Sequence, residues 1–258
     1  MTSAPVLGVR FDALTTADAA RQCLDWAEAG EARSVYLTNA HGVVEALDRP
    51  AFADVLAAAD LNLPDGMSIV RALRARGVAQ EDRVYGPDLT LDVARLAAAA
   101  GVPVALYGST ERTLADLQER LAARFPDLDV AEAISPPFRP LSDAEDEAFV
   151  ARLRASGARV VFVGLGCPRQ EQWCHEHADR VGAVCLAVGA AFDFHAGSVP
   201  QAPAILQRAG LEWLFRLAVE PRRLWRRYLR VVPRFLWESF RAGRAEQGPR
   251  NPGAKRPA

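Results

Sequence analysis

The stretch Arg159-Val-Val-Phe-Val-Gly-Leu-Gly166 decides the fold, because it joins a short apolar, β-branched run to a glycine turn. Residues 170–180, which follow, have a helical pattern, so the segment predicts a strand, a turn and a helix. The same alternation recurs along the chain and predicts an α/β domain with a Rossmann-like, largely parallel sheet and flanking helices. The predicted strands are 34–38, 102–107, 130–134, 159–163 and 183–188, and the other predicted helices are 18–29, 113–124 and 143–155.

Composition limits the class of protein. The chain has 258 residues, of which 50% are hydrophobic and 24% charged, as is typical of a soluble globular protein with a sizeable core. The net charge is -1 and the sequence pI is near 6.4. The protein as a whole therefore attracts neither nucleic acid nor anionic lipid, and any basic surface must be local. We expect no nucleic-acid partner.

The cysteines and the N-terminal segment predict a cytoplasmic location. The cysteines have no CxxC spacing and lie in apolar or helical surroundings, so we expect buried thiols in a reducing compartment and no zinc site. Residues 1–10 lack a basic region followed by an apolar run, and no apolar stretch reaches the ~18 to 20 residues that span a bilayer. The cysteines are Cys23, Cys167, Cys174 and Cys185.

Polar and glycine-rich turns follow several predicted strands. In parallel α/β sheets, ligands bind beyond the carboxyl ends of the strands, where helix N-termini hold phosphate. Each turn alone is equally consistent with a tight structural connection. There is neither a GxGxxG motif nor a Walker A lysine, so nicotinamide and P-loop nucleotide sites are not supported. The turns contain Thr38 and Asn39, Gly108 to Thr110, Gly164 to Gly166, and Gly189 to Asp193.

Few other residues suggest chemistry on their own. Asp65 lies in a Pro64-Asp65-Gly66 turn, where a carboxylate can face a cleft, but turn formation alone also explains an aspartate there. His175 and His177 are two residues apart and do not share a helix face, so they do not predict a metal site. We expect no divalent-ion site of the Asp-x-Asp kind, and therefore a diphosphate that is stabilised without metal.

The C-terminal part of the chain differs from the rest. From Leu206 it loses strand signals and becomes aromatic and arginine-rich, so we predict an α/β domain (1–205), a basic aromatic helical appendage (206–244) and a disordered tail (245–258). Five arginines recur at spacings of three and four and form one stripe on a helix from about residue 221 to 237. They are Arg223, Arg226, Arg227, Arg230 and Arg234.

Apolar side chains occupy the opposite face of this helix. A basic amphipathic helix with aromatic residues is typical of an element that lies on an anionic membrane surface. The alternative is a helix that packs its apolar face on the core and leaves its arginines in solvent. The excess of arginine in a nearly neutral protein favours the membrane. The apolar residues are Leu224, Tyr228, Val231, Val232 and Phe235.

Several strings together resemble the WecG/TagA/CpsF family of bacterial glycosyltransferases, glycosyltransferase family 26. The most specific is Val163-Gly-Leu-Gly-Cys-Pro-Arg-Gln-Glu-Gln-Trp173, and the resemblance covers roughly residues 5 to 235. The other strings are Thr38-Asn-Ala-His-Gly-Val43, Pro64-Asp-Gly66, Arg83-Val-Tyr-Gly-Pro-Asp88, Val188-Gly-Ala-Ala-Phe-Asp-Phe-His-Ala-Gly197, Ala202-Pro203, Gly210-Leu-Glu-Trp-Leu-Phe-Arg216 and Glu220-Pro-Arg222.

The resemblance implies a reaction and its partners. It implies transfer with inversion from a UDP-sugar, which carries N-acetylmannosamine, its uronic acid or a hexose. The acceptor is a sugar on undecaprenyl diphosphate, and the products enter bacterial cell-surface polysaccharides. No cofactor or metal is expected, and the protein is expected to be peripheral on the inner face of the cell membrane.

The resemblance also implies roles for individual residues. Asp65 matches the proposed general base, which accepts the proton of the attacking acceptor hydroxyl. Arg83 and Gln170 are expected to stabilise the departing UDP diphosphate. The remaining positions are Thr38 and Asn39 for the sugar or the acceptor, Gly108 and Gly189 in the binding turns, and Asp193 for the uridine.

Two positions depart from the family pattern, and two other classes of protein stay open. Ala190 replaces a glycine, and Gln201 replaces an arginine near the expected site, which puts the contact made there in doubt. The alternatives are a Rossmann-like dehydrogenase or methyltransferase, against which the missing GxGxxG motif counts, and a non-enzymatic membrane adaptor that uses the arginine helix.

Overall fold

In a computed structural model of the chain, which describes residues 2–80 and 82–246, a parallel sheet forms the centre of the molecule. The strands are β1 (Ser3–Val6), β2 (Val9–Asp12), β3 (Arg33–Thr38), β4 (Leu61–Pro64), β5 (Val104–Gly108), β6 (Val130–Ile134), β7 (Val160–Gly164) and β8 (Val184–Ala187). Six of them form one sheet in the order β4-β3-β8-β7-β5-β6, with every pair parallel, and β1 and β2 form an antiparallel hairpin. The predicted α/β class is confirmed.

Helices connect the strands and cover the sheet. The helices are α1 (Thr16–Ala29), α2 (Ala40–Asp48), α3 (Pro50–Ala57), α4 (Met67–Ala75), α5 (Gly86–Ala100), α6 (Glu111–Arg124), α7 (Asp143–Ala155), α8 (Arg169–Val181), α9 (Ala191–Ala196), α10 (Ala204–Ala209), α11 (Glu212–Val219) and α12 (Pro221–Glu246). Buried side chains of α2, α3, α4, α7 and α8 pack on one face of the sheet, and those of α1, α5, α6 and α9 pack on the other. Because all six strands are parallel, their carboxyl ends lie at the same edge of the sheet.

Both faces of the sheet are buried, as the apolar strand sequences predicted. Along β7, Val161 and Val163 pack into one core with Trp173, while Phe162 packs into the other with Leu117. Successive side chains of a strand point to opposite faces, so a strand covered on both sides must be apolar at nearly every position. The string that predicted the fold therefore forms a strand that is buried on both faces.

β4 and the β1–β2 hairpin were not predicted. β4 contains Asn62 at its centre and ends at Pro64, so it lacks a continuous apolar pattern. Asn62 is fully buried, and its polar groups are satisfied by the end of the hairpin: its N–H donates to the Asp12 carboxylate at 2.9 Å and its Nδ2 donates to the Arg10 carbonyl at 2.8 Å. A buried polar residue is tolerated in a strand when every group finds a partner.

The other five strands and four of the helices were predicted to within a few residues at each end. Ser142 caps α7 in a capping box with Glu145, as expected of an N-cap serine. The N-cap of α1 is Thr15. The hydroxyl of Thr15 accepts from the N–H of Asp18 at 3.1 Å, whereas Thr16 is the first helical residue.

The three C-terminal helices, α10, α11 and α12, form a unit that we call the appendage. Helix α12 packs on α2, and its residues Leu224, Val231 and Phe235 are at most 5% exposed. The expectation that this apolar face meets a membrane is therefore wrong, because the face is buried against the α/β domain. The described residues include no helix that is long and apolar enough to cross a membrane. The predicted tail, apart from residues 245 and 246, lies outside the described residues.

Candidate active site

The carboxyl ends of β3, β4 and β8 meet under the appendage. Helices α2, α4 and α9 begin directly after these strands, and the appendage contacts all three of them. Helix α12 packs on α2, helix α10 packs on α4, and the Arg216 guanidinium of α11 lies 5.4 Å from the ring centre of Phe194 in α9. The edge of the sheet where α/β proteins bind ligands is thus bordered by the C-terminal helices.

Asp65 follows β4 at this edge and is held by the end of β3. Its N–H donates to the Thr38 carbonyl at 3.0 Å, and its Oδ2 accepts from Nδ2 of Asn39 at 3.4 Å. Its other oxygen, Oδ1, is buried and has no hydrogen-bond partner. Burial raises the pKa of Asp65 to about 6, a rise that the charge of Arg83 opposes and that of Glu212 supports. A carboxylate with a free oxygen and a raised pKa is suited to accept a proton.

Asn39 and Thr38 have different surroundings, although they are adjacent. Oδ1 of Asn39 accepts from the N–H of His41 at 3.0 Å and caps α2, so the same side chain starts the helix and contacts Asp65. Thr38 is buried, and its hydroxyl donates to Oδ1 of Asn62 at 2.6 Å. Asn39 is therefore beside the candidate base, whereas Thr38 binds the neighbouring strand.

Arg83 is bound by the appendage. Its Nη1 lies 2.6 Å from Oε2 of Glu212, and its Nη2 donates to Oε1 of Gln207 at 2.8 Å. The guanidinium also lies 3.7 Å from the ring centre of Tyr85, whose hydroxyl donates to Oε1 of Glu212 at 3.2 Å. The charge of Arg83 acts on Asp65, but it is already paired with the carboxylate of Glu212. Its expected contact with the UDP diphosphate stays a prediction.

Gln170 joins two glycine turns. Its Nε2 donates to the Ala187 carbonyl at 3.1 Å and to Oε1 of Glu171 at 3.0 Å, and its Oε1 accepts from the N–H of Gly166 at 3.1 Å. A Cβ on Gly189 would lie 3.1 Å from the same Oε1. Both amide hydrogens are donated to protein oxygens, so the expected contact of Gln170 with a diphosphate stays a prediction that requires one of these bonds to break.

Asp193 lies on α9 and faces the appendage. Burial raises its pKa, while the charges of Arg223 and Arg216 lower it. Arg216 also lowers the pKa of Asp65, so its charge acts on both carboxylates, and its buried Nε has no hydrogen-bond partner. Sequence reasoning gave Arg216 no role, although it ends one of the strings that carried the family resemblance.

Gly108 is the candidate most distant from Asp65. It ends β5, which lies four strands away from β4 in the sheet, or roughly 19 Å at the usual strand spacing. Gly189, in contrast, follows β8, the direct neighbour of β3. The structure therefore groups Asp65, Asn39, Arg83 and Asp193 around the appendage and leaves Gly108 outside that group.

Comparison with known protein families identifies the family of the chain. Residues 4–248, nearly the whole chain, match the model of the glycosyl transferase WecG/TagA/CpsF family. The chain belongs to this family. It is therefore a glycosyltransferase, and membership of the WecG/TagA/CpsF family indicates a role in cell-surface polysaccharide synthesis.

In this WecG/TagA/CpsF protein the arginine stripe of α12 is only partly free. Arg230 pairs with Asp48 at 2.5 Å and with Glu45 at 3.3 Å, both on α2, and Arg234 lies 3.9 Å from Asp48. Arg223 pairs with Glu220 at 2.5 Å. The pairs of Arg230 and Arg234 fasten α12 to α2, whereas the pair of Arg223 is local to the start of α12. This is a structural use of arginines that were predicted to face a membrane.

The two other arginines of the stripe differ from each other. Arg226 is exposed and lies over the ring of Trp225 at 5.2 Å. Arg227 is half-buried and close to His41, whose pKa is lowered to about 4 by burial and by the charges of Arg227, Arg230 and Arg49. Arg227 therefore points towards the α2 side of the site.

No metal centre is formed by the residues that the structure describes, since they contain no group of three or more His, Cys, Asp or Glu side chains suited to hold an ion. His177 is buried, with its ring nitrogens bound to the Trp173 carbonyl and to Asp146. The chain does contain one Asp-x-Asp pair, Asp127 and Asp129, which the sequence analysis overlooked. Both residues are exposed at the amino end of β6, on the opposite edge from Asp65.

Proposed function

We propose that this glycosyltransferase moves a sugar from a UDP-sugar to a sugar carried on undecaprenyl diphosphate, with inversion at the anomeric carbon. The observation that carries the proposal is the carboxylate of Asp65, with a buried and unpartnered Oδ1 and a pKa raised to about 6 by burial. The donor class is that of N-acetylmannosamine, its uronic acid or a hexose. The polymer that receives the sugar is a bacterial cell-surface polysaccharide.

The reaction needs one proton acceptor and one site of positive charge. The acceptor hydroxyl oxygen bonds to the anomeric carbon while the bond from that carbon to the diphosphate oxygen breaks. Asp65 takes the hydroxyl proton, and UDP leaves with the bonding electron pair. Direct displacement by a single nucleophile inverts the anomeric configuration, so no covalent intermediate on the enzyme is required.

The arginines of the appendage are suited to stabilise the charge that grows on UDP. Arg216 has a buried Nε without a partner and acts electrostatically on both Asp65 and Asp193. Arg223 also acts on Asp193. Guanidinium groups bind diphosphate oxygens strongly, and preorganised positive charge lowers the barrier in place of a metal ion. We propose that these arginines, with Arg83, make the reaction independent of metal.

We also propose that the appendage docks the enzyme on the inner face of the membrane. Its outward side carries large apolar residues that are between 46% and 67% exposed, next to the exposed Arg226. Helical spacings of four and seven place them on one face, which we call the outer apolar face. An exposed apolar face beside arginines fits an anionic lipid surface. Its residues are Trp225, Leu229, Leu236 and Phe240.

The decisive experiment is a donor and acceptor panel. Purified protein is incubated with several UDP-sugars and synthetic prenyl-diphosphate glycans, and the products are identified by mass spectrometry with their anomeric configuration determined by NMR. We expect one donor to be transferred with inversion. Thermal shifts with UDP, NAD and S-adenosylmethionine test the other enzyme classes, because only UDP should stabilise this protein. Stabilisation by NAD or S-adenosylmethionine instead would refute the proposal.

A further inference from the structure

Both oxygens of the Glu212 carboxylate are bound by one short segment of the α/β domain. Oε2 lies 2.6 Å from Nη1 of Arg83, and Oε1 accepts from the hydroxyl of Tyr85 at 3.2 Å. The side chains of Arg83 and Glu212 are only 10% and 14% exposed. An ion pair that is shielded in this way interacts more strongly than one on the surface. Glu212 is therefore the main polar link between α11 and this segment.

The same segment is fastened to the strand that carries the general base. The N–H of Val84 donates to the Pro64 carbonyl at 2.9 Å, and Pro64 immediately precedes Asp65. The backbone next to Arg83 is thus held by β4, while its guanidinium is held by Glu212. The position of this positive charge relative to Asp65 is fixed from two sides, one of which belongs to the appendage.

We propose that Glu212 is a positioning residue for the general base: it holds Arg83 beside Asp65 and balances the charge of that arginine. The inference rests on the proposed function of Asp65. An arginine without a counter-charge next to a carboxylate favours the ionised form and makes the carboxylate a weaker base. Glu212 offsets this effect, so that Asp65 keeps its affinity for a proton.

The groups around Asp65 support this balance. Its pKa is raised to about 6, mainly by burial, and the charges that act on it are Arg83 and Arg216, which lower the pKa, and Glu212, which raises it. The hydrogen bond from Asn39 also lowers it. Glu212 is the negative group in this set. Its neutralisation leaves two arginines and the amide of Asn39, all of which lower the pKa of Asp65.

The first test is the pH profile of the full-length protein carrying Glu212→Gln. Glutamine keeps the shape and one acceptor oxygen but removes the charge. Transfer is measured with UDP-N-acetylmannosamine, its uronic acid form and UDP-glucose in turn. We expect the acid limb of kcat/KM to move to lower pH by about 0.5 to 1 unit, and turnover at pH 8 to fall about threefold to tenfold.

Two further variants separate positioning from simple attachment of the appendage. Gln207→Ala removes the other appendage contact of Arg83 without a change of charge, and it should lower activity while the acid limb stays at the wild-type pH. Glu212→Asp restores the charge and should return the acid limb towards wild type. If Glu212→Gln loses turnover with an unchanged acid limb, Glu212 is only an attachment point and the proposal is overturned.

A second measurement does not depend on activity. Because burial raises the pKa of Asp65, replacing it with asparagine should stabilise the fold more at pH 7.5 than at pH 4.5. In a Glu212→Gln background, the extra stability that Asp65→Asn gives at pH 7.5 relative to pH 4.5 should be smaller. An equal difference in stability would contradict the inference. If the wild type transfers none of the sugars, the function proposed above fails separately, while this measurement still decides the role of Glu212.

Discussion

The α carbons of Gly108 and Gly164 are partners in the register of β5 and β7, and no side chain fits between them. A Cβ on Gly108 would lie 2.6 Å from the Gly164 carbonyl carbon and oxygen, and the φ of Gly108 is +123°. The N–H of Ser109 donates to the Gly164 carbonyl at 3.1 Å. These contacts fix the two turns against each other at the binding edge of the sheet.

Gly108→Ala should therefore destabilise the fold, by about 2 kcal/mol or more, because the methyl group overlaps backbone that cannot move aside. Thermal unfolding should show a fall in Tm of several degrees. Gly101→Ala is the matched control. Its φ is also positive, at +64°, but a Cβ there meets no atom within 4 Å, so only backbone strain should appear. Equal losses in the two variants would refute the overlap.

Asp65→Asn should lower turnover by about 10² to 10⁴, because the acceptor hydroxyl loses its proton acceptor. In the wild type, kcat/KM should fall as the pH drops through about 6, where Asp65 becomes protonated. Time courses of sugar transfer across a range of pH, with the donor that the enzyme uses, measure both effects. Turnover close to wild type in the variant, with circular dichroism unchanged, would remove Asp65 as the base.

The same substitution should make the protein more stable at neutral pH. The folded-state pKa of Asp65 is raised from 3.8 to about 6, so the folded protein binds more protons than the unfolded chain between these pH values. Stability therefore falls as the pH rises through this window, and the loss is complete above about pH 6. Asparagine removes the loss, which is of order 1 to 3 kcal/mol. Chemical denaturation at pH 4 and pH 7.5 measures the difference.

Gln170→Ala should destabilise the fold by about 2 to 4 kcal/mol, because it leaves the Gly166 N–H and the Ala187 carbonyl without their buried partner. Gln172→Ala, at a half-buried position of the same helix, is the control. UDP should still raise the Tm of the Gln170 variant. A variant with normal stability but no response to UDP would instead establish the direct diphosphate contact.

Vesicle binding should depend on the outer apolar face and not on the buried face of α12. Replacing Leu229 and Leu236 with serine should weaken binding to phosphatidylglycerol vesicles at least tenfold with little change in Tm. Phe138→Ser alters an aromatic residue that is 74% exposed outside the appendage and should bind as wild type does. Unchanged flotation of the double variant would locate membrane binding elsewhere.

Among the arginines of the stripe, those without carboxylate partners should matter most for vesicle binding. Arg226→Gln should weaken binding, and added salt should weaken wild-type binding in parallel, since surface charges are screened over about 10 Å at 0.1 M salt. Arg230→Gln should mainly lower stability, because it breaks the pairs with Asp48 and Glu45. Unchanged flotation of the Arg226 variant would exclude this arginine from membrane binding.

Transfer should continue in EDTA, because arginines are proposed to stabilise the UDP charge. The rate should stay within about twofold of the untreated enzyme, and Arg216→Ala should lower it more strongly than EDTA does. Mass spectrometry of the product in both conditions measures this. A complete loss in EDTA that Mg²⁺ or Mn²⁺ restores would overturn the metal-independent reaction.

How far the sequence predicts this molecule depends on the range of the interactions. The string from Arg159 to Gly166 gives its strand and turn correctly because apolar strands and glycine turns are local signals. β4 was not predicted because Asn62 interrupts its apolar pattern. The hairpin residue that accepts a hydrogen bond from Asn62 lies about 50 residues earlier in the chain. The candidate base was found through a family motif, since its turn alone carries no chemical signal.

The partners of the site could not be read from local patterns. The family resemblance assigned Arg83 to the site, but its pairing with Glu212 joins residues 129 positions apart and has no local signal. The apolar face of α12 was identified, but the surface that covers it was not predicted. Helical periodicity identifies an apolar face but not the surface that covers it. Here Val231 and Phe235 are buried in the same core as residues of α2.

The separation between Arg83 and Glu212 has a consequence for synthesis. At about 5 to 20 residues per second, the ribosome needs roughly 6 to 26 s to reach Glu212 after it has made Arg83. By the end of that interval all six strands of the sheet have been synthesised, but Arg83 still has no counter-charge from Glu212. The strands that position Asp65 are therefore made before the charge that balances Arg83, and a chain cut short before α11 should be inert.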